Sequence, residues 1–128
     1  RFNSGEAQKM ISILPAGEEY FKKTVSSLNL GPDVLCLAAR DGDLVLGHIV
    51  YRLSNQNAEL LDLKAGDSAV ADGLVRAALN LALRKGVNFT KSGNPEIIRV
   101  LENIAGKRFE GQGDCLLDIS SLFAKKCC

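Results

Sequence analysis

The period of hydrophobic and polar positions changes along this chain, and each change marks an element. Asp72, Arg76, Asn80 and Arg84 recur every fourth position as one narrow polar stripe. Leu74, Ala77, Ala78, Leu81 and Ala82, flanked by Leu79 and Leu83, make nearly everything else there apolar. That spacing predicts a helix of about four to five turns. With so little polar face, it must be covered on most sides, as when it packs on a sheet. Ahead of it residues 58–64 read as a strand, joined to the helix by a short turn containing Gly66, Asp67 and Ser68. Strand, turn and helix N-terminus is a common way of presenting backbone N–H groups to a phosphate.

Elsewhere the punctuation is set by turn and cap residues. Asn3 or Ser4 can cap a helix running to Leu14, which Pro15, Ala16 and Gly17 interrupt. A second helix follows over residues 18–28, with Tyr20, Phe21, Val25 and Leu28 as its apolar side. After the break at Gly31, Pro32 and Asp33 come two strand-like runs, 34–40 and 44–53, around Asp41-Gly42-Asp43. Asp-Gly between apolar runs is a strong hairpin signal. The polar tip Ser54-Asn55-Gln56-Asn57 leads into the strand at 58–64, so three strands form an antiparallel meander. Beyond the long helix, residues 87–91 are a short strand, and Asn94-Pro95-Glu96 opens a helix with Asn94 as cap. Ile97, Ile98, Leu101 and Ile104 face inward and Gly106 ends it. A glycine-bracketed turn at 111–113, a strand at 115–119 and a short helix capped by Asp118 or Ser120 complete the chain. The order α-α-β-β-β-α-β-α-β predicts an α/β (α+β) fold, a mixed sheet between helices, in one domain spanning residues 1–128.

Composition narrows the function classes. The 128 residues carry 16 Lys plus Arg against 15 Asp plus Glu, a net charge of +1. That balance offers no electrostatic case for nucleic acid or an anionic membrane. No apolar run approaches the ~18 residues of a membrane span and nothing reads as a signal peptide, so a cytoplasmic protein is expected. Because the chain starts at Arg1 without Met, a few further residues are expected ahead of it. Cys36, Cys115, Cys127 and Cys128 lack framework spacing, and there is no C-x-x-C pair and only one histidine. No metal site is therefore expected; Cys36 reads as a small core residue and Cys127-Cys128 as exposed thiols at the terminus.

Three segments together resemble the GNAT superfamily of acetyl-CoA-dependent N-acetyltransferases. LVLGHIV (44–50) is similar to the family's third strand, and GLVRAALNLALRKGV (73–87) to its central helix, with Ala82 and Gly86 at the Ala-x-x-x-Gly ending. NPEIIRVLE (94–102) resembles the helix of its second motif. The resemblance runs from Val34 to about Phe109. It implies a mixed, mostly antiparallel sheet with helices on both faces, and a first strand that lies before Arg1 or is cut short.

The resemblance also implies a cofactor, acetyl-CoA. The strand before the central helix would offer pantetheine the backbone of Leu61 and Leu63. The turn Ser68, Ala69, Val70 and Ala71 would take the pyrophosphate, and Asn94 lies near the cofactor in the family. Glu59 on that strand is the candidate general base; Asp62, on the opposite face by period two, is a second candidate. Several positions depart from the family pattern. Gly66 stands where the family has Arg or Gln, Ala69 replaces its first loop glycine, and Leu101 stands where a tyrosine acid belongs. Asp67 and Ser68 are good N-cap types, and a capping carboxylate would occupy N–H groups and repel a phosphate. His48, alone in an apolar strand, reads as a packing residue.

Two functional expectations follow. One is an N-acetyltransferase acting on a small-molecule or peptide amine, with Glu59 as base. The other is an inactive GNAT-like binding or regulatory domain with a degenerate pyrophosphate loop. A homodimer through the sheet edge or the segment 122–128 is compatible with either.

Overall fold

A computed structural model describes residues 11–30, 33–54, 56–109 and 116–123. The elements are β1 (Ile11–Pro15), α1 (Glu18–Leu28), β2 (Leu35–Asp41), β3 (Leu44–Leu53), β4 (Ala58–Ala65), α2 (Ser68–Arg84), β5 (Phe89–Lys91), α3 (Pro95–Ala105), β6 (Leu117–Asp118) and α4 (Ile119–Phe123). Among the described residues six strands form one sheet in the order β1-β2-β3-β4-β5-β6. Every neighbouring pair is antiparallel except β4 and β5. Among the described residues no helix is long and apolar enough to cross a membrane.

The mixed α/β class is the one the sequence patterns predict, but the element order differs at its start. Residues 11–15 are a strand, whereas the apolar run there reads as the end of a helix. Ile-Ser-Ile-Leu-Pro is too short for periodicity to separate helix from strand; pairing decides it, with Ile11 opposite Asp41 and Pro15 opposite Leu37. Among the described residues the first strand of the sheet is thus Ile11–Pro15. The rest of the expected first helix, the turn at 111–113 and the segment 124–128 lie outside the described residues.

Two apolar clusters separate the faces. Leu37, Ile49, Tyr51, Leu60 and Leu63 pack with α2, α3 and α4 in the larger one. Val34, Cys36 and Val50 meet Phe21, Val25 and Leu28 of α1 in the smaller. Six residues of α2 are buried, and none of α1 is.

Candidate active site

Three local features open a site at the C-terminal half of β4. The first is a β-bulge. Val50 of β3 lies opposite Asp62 while Tyr51 lies opposite Leu60, so Leu61 is an extra residue. A bulge interrupts the period of two and re-aims the side chains beyond it. Glu59 and Asp62, which strict alternation would put on opposite faces, therefore share the face covered by α1. Glu59 bonds to Arg52 there and Asp62 contacts His48. Gly47 permits the close approach of the strands: a Cβ on it would run into the Lys64 carbonyl oxygen.

The second feature is a parting of strands. β5 pairs with β4 only at Ala58 and Glu59. The hydroxyls of Thr90 and Ser92 donate to the carbonyls of Ala58 and Leu60, both at 2.7 Å. Beyond that point the chain leaves for α3, and the edge of β4 over residues 61–65 has no strand beside it among the described residues. An unpaired strand edge offers backbone N–H and C=O groups to a ligand. Because β4 and β5 are parallel, the helices that follow them, α2 and α3, both start at the open end. Ligands of α/β sheets gather at such carboxyl ends.

The third feature is how those helix starts are capped. Asp67 Oδ1 accepts from Val70 N–H at 2.9 Å and the Asp67 carbonyl from Ala71 N–H at 3.1 Å. Of the first turn, helix geometry leaves the N–H groups of Ser68 and Ala69 without a helical acceptor. Asn94 Oδ1 accepts from Glu96 and Ile97 N–H at 2.9 and 3.3 Å, so its side chain is engaged as a cap. Val70 and Leu63 are buried in the larger cluster, Leu61 packs on the α1 side, and Ser68 and Ala69 are exposed.

Across the sheet from α2, a cavity of about 370 Å³ lies between α1 and the strands, lined by Tyr20, Lys23, Thr24, Ser27, Leu28, His48, Asp62 and Lys64. Tyr20 Oη and His48 Nδ1 are 2.7 Å apart, and His48 Nε2 is 3.4 Å from Asp62 Oδ2. Burial raises the pKa of the Tyr20 phenol above its ordinary 10.0, so it stays protonated. The phenol and Nδ1 share one hydrogen bond, and Nε2 is the ring nitrogen that faces Asp62. His48 is buried, as its packing role predicts, and its two ring nitrogens also link a phenol to a carboxylate. The spacing of apolar positions gave no sign of this, because Tyr20 and His48 both fall on apolar faces; their polar atoms were the only signal.

Glu59 occupies a different setting. Arg52 Nη1 donates to Glu59 Oε1 at 3.3 Å, Arg52 Nε to Asp33 Oδ1 at 3.0 Å and Arg52 Nη2 to the Leu30 carbonyl at 2.7 Å. That network ties the α1–β2 connection to the sheet and compensates the Glu59 charge. Leu101 is fully buried in the larger cluster. A wider cleft of about 970 Å³ along α1 is lined by Gly17, Glu18, Lys22 and Arg40, with Tyr20 and Lys23 at its border, and reaches no β4 residue. Among the described residues no group of His, Cys, Asp or Glu is placed to hold a metal ion.

No protein-family model and no curated sequence matches the chain. Solved structures do. An acetyltransferase of Bacillus subtilis in complex with CoA is similar over 73% of this chain and 74% of its own, with TM-score 0.57 and 18% identity. An aminoglycoside acetyltransferase from an uncultured soil metagenomic sample matches over 77% of this chain and 86% of its own, with TM-score 0.57 and 11% identity. The spermidine/spermine N-acetyltransferase of Vibrio cholerae, in mutant forms, matches over 88% and 97%, with TM-score 0.55 and 8% identity.

Proposed function

Because this chain has the GNAT acetyltransferase fold, we propose that it is an N-acetyltransferase that uses acetyl-CoA and an amine acceptor. The observation that carries the reading is the open edge of β4 next to the Asp62–His48–Tyr20 chain. Acetyl-CoA would supply a thioester-activated acetyl group, whose transfer forms the amide C–N bond and breaks the C–S bond. The edge of β4 that faces away from β3 at Leu61 and Leu63 suits an extended pantetheine arm. Ser68 and Ala69 N–H groups remain for a phosphate, with Val70 and Ala71 contributing shape more than donors. Asp67 weakens that grip, since a carboxylate about 4 Å from a phosphate costs about 1 kcal/mol in water. Asn94 acts as helix cap and carries no ligand role in this reading.

Asp62 is the general base. It takes a proton from the acceptor's ammonium group, which frees the amine to attack, and passes that proton to solvent. His48, held by Tyr20, orients the carboxylate from its Nε2 side. Glu59, compensated by Arg52, is the second candidate.

Calorimetric titration with acetyl-CoA tests the reading: a dissociation constant below about a millimolar is expected. No heat and no thermal shift at millimolar ligand would overturn it. With an acceptor in hand, Asp62→Asn should lower the rate by about 10²–10⁴ and leave acetyl-CoA affinity unchanged. Glu59→Gln, run in parallel, should have a small effect; the reverse ranking moves the base to Glu59. A second reading, an inactive domain of the same fold whose degenerate pyrophosphate loop no longer holds acetyl-CoA, is favoured by the Asp67 cap and buried Leu101, and the same titration separates the two.

A further inference from the structure

The cavity under α1 has a charge pattern unlike that needed for a polycation. Among the described residues Asp62 is the one carboxylate in its lining, while Lys23 approaches from α1 and Lys64 from β4. Two lysines face one carboxylate in this lining. A polyamine or an amino sugar with several ammonium groups would meet two cations for each carboxylate, which costs affinity. At about 370 Å³ the cavity also lies at the small end of the roughly 300–1,000 Å³ usual for small-molecule sites.

Asp62 and Lys64 stand two residues apart beyond the bulge, on one face of β4 and about 7 Å apart along the strand. His48 lies opposite Lys64 in the register and turns its Nε2 to Asp62. A carboxylate and an ammonium at that spacing, one fixed and one on a flexible stem, match a ligand with the inverse pair on one carbon. The hydroxyls of Thr24 and Ser27 and the apolar Leu28 line the remainder.

We propose that this pocket binds a free α-amino acid as acyl acceptor, a substrate class that rests on the acetyl-transfer reading above. Asp62 holds the ammonium group, and Lys64 with Lys23 holds the carboxylate. Anchoring the carboxylate on Lys64 brings the amine beside Asp62, the group that must take its proton. Lys23 and Lys64 are the specificity-determining residues, and they act by charge. Charge-assisted contacts of this kind discriminate strongly against a neutralised ligand.

The chain contains a single histidine, so one imidazole resonance reports on the pocket without any acetyl-CoA present. The experiment titrates the full chain, labelled in histidine, with each of the twenty standard L-amino acids, then with the methyl ester of the best binder and with spermidine. The expected result is a saturable shift of the His48 signal with at least one amino acid. Its ester should bind about tenfold or more weakly, and spermidine more weakly still. Lys64→Gln and Lys23→Gln should each weaken the amino acid several-fold and leave the ester unchanged. Silence with all twenty amino acids, an ester that binds as well as its acid, or tighter binding of spermidine would each overturn the proposal. Failure of acetyl-CoA to bind in calorimetry would instead sink the acetyl-transfer reading, and the two results are obtained independently.

Discussion

Asp67 sits where β4 gives way to α2, and two demands on that position conflict. As a cap it satisfies Val70 N–H, a role worth about 1 kcal/mol. As a charge it opposes a diphosphate at the same helix start. Asparagine caps as well as aspartate and carries no charge. Asp67→Asn should therefore tighten CoA binding by about fivefold at low salt, with thermal stability unchanged; calorimetry on the two proteins checks both. Cys36 shows burial acting on a titratable group. Desolvation first, and the Asp62 charge second, push its thiol from 9.0 to about 11. The folded state keeps a proton that the unfolded chain releases, so stability is full below 9.0 and falls as pH rises to about 11. The loss from this one group is about 2 kcal/mol. Denaturant midpoints across that window should fall for the natural chain and fall less for Cys36→Ala. Burial raises Tyr20 and Tyr51 in the same direction and adds to the slope.

At the scale of elements, β3 and β4 do the positioning. The extra residue at Leu61 turns Asp62 to the α1 side, and Gly47 leaves room for the Lys64 carbonyl that the bend brings close. Gly47→Ala should cost about 1–3 kcal/mol, because the obstructing atom is backbone and cannot rotate away. A fall in melting temperature of roughly 3–10 °C is expected by circular dichroism. The elements were largely legible in the sequence. The caps at Asn94 and Gly106 and the turn at Gly42, with φ of +63°, act within a few residues and read directly. Residues 11–15 did not, since an apolar run of that length suits a helix or a strand equally. Room for Ile13 against Gly73 of α2 and pairing with β2 resolve it.

Across the whole molecule, the two faces of the sheet differ in how firmly they are covered. On one, α2 and α3 share a large apolar core with the strands. On the other, α1 has no buried residue and no side-chain N-cap, and is held by a small cluster. Local opening needs least energy where few apolar contacts are lost. Backbone amides of α1 should exchange about 10²-fold faster than those of α2, read by hydrogen exchange. An acceptor bound beneath α1 should slow the exchange of α1 and leave α2 unchanged.

What the sequence determined by itself is the set of elements from residue 18 onward, the helix caps and the mixed α/β class. These rest on side-chain period and on cap chemistry, both of which act within a turn or two of the chain. Only the tertiary structure decided that Ile11–Pro15 is a strand, that Glu59 and Asp62 share a face, and that Tyr20 meets His48 from 28 residues away. Each of these depends on which strand lies beside which, and in what register. Such pairings are settled by contacts between distant segments, which no local pattern encodes.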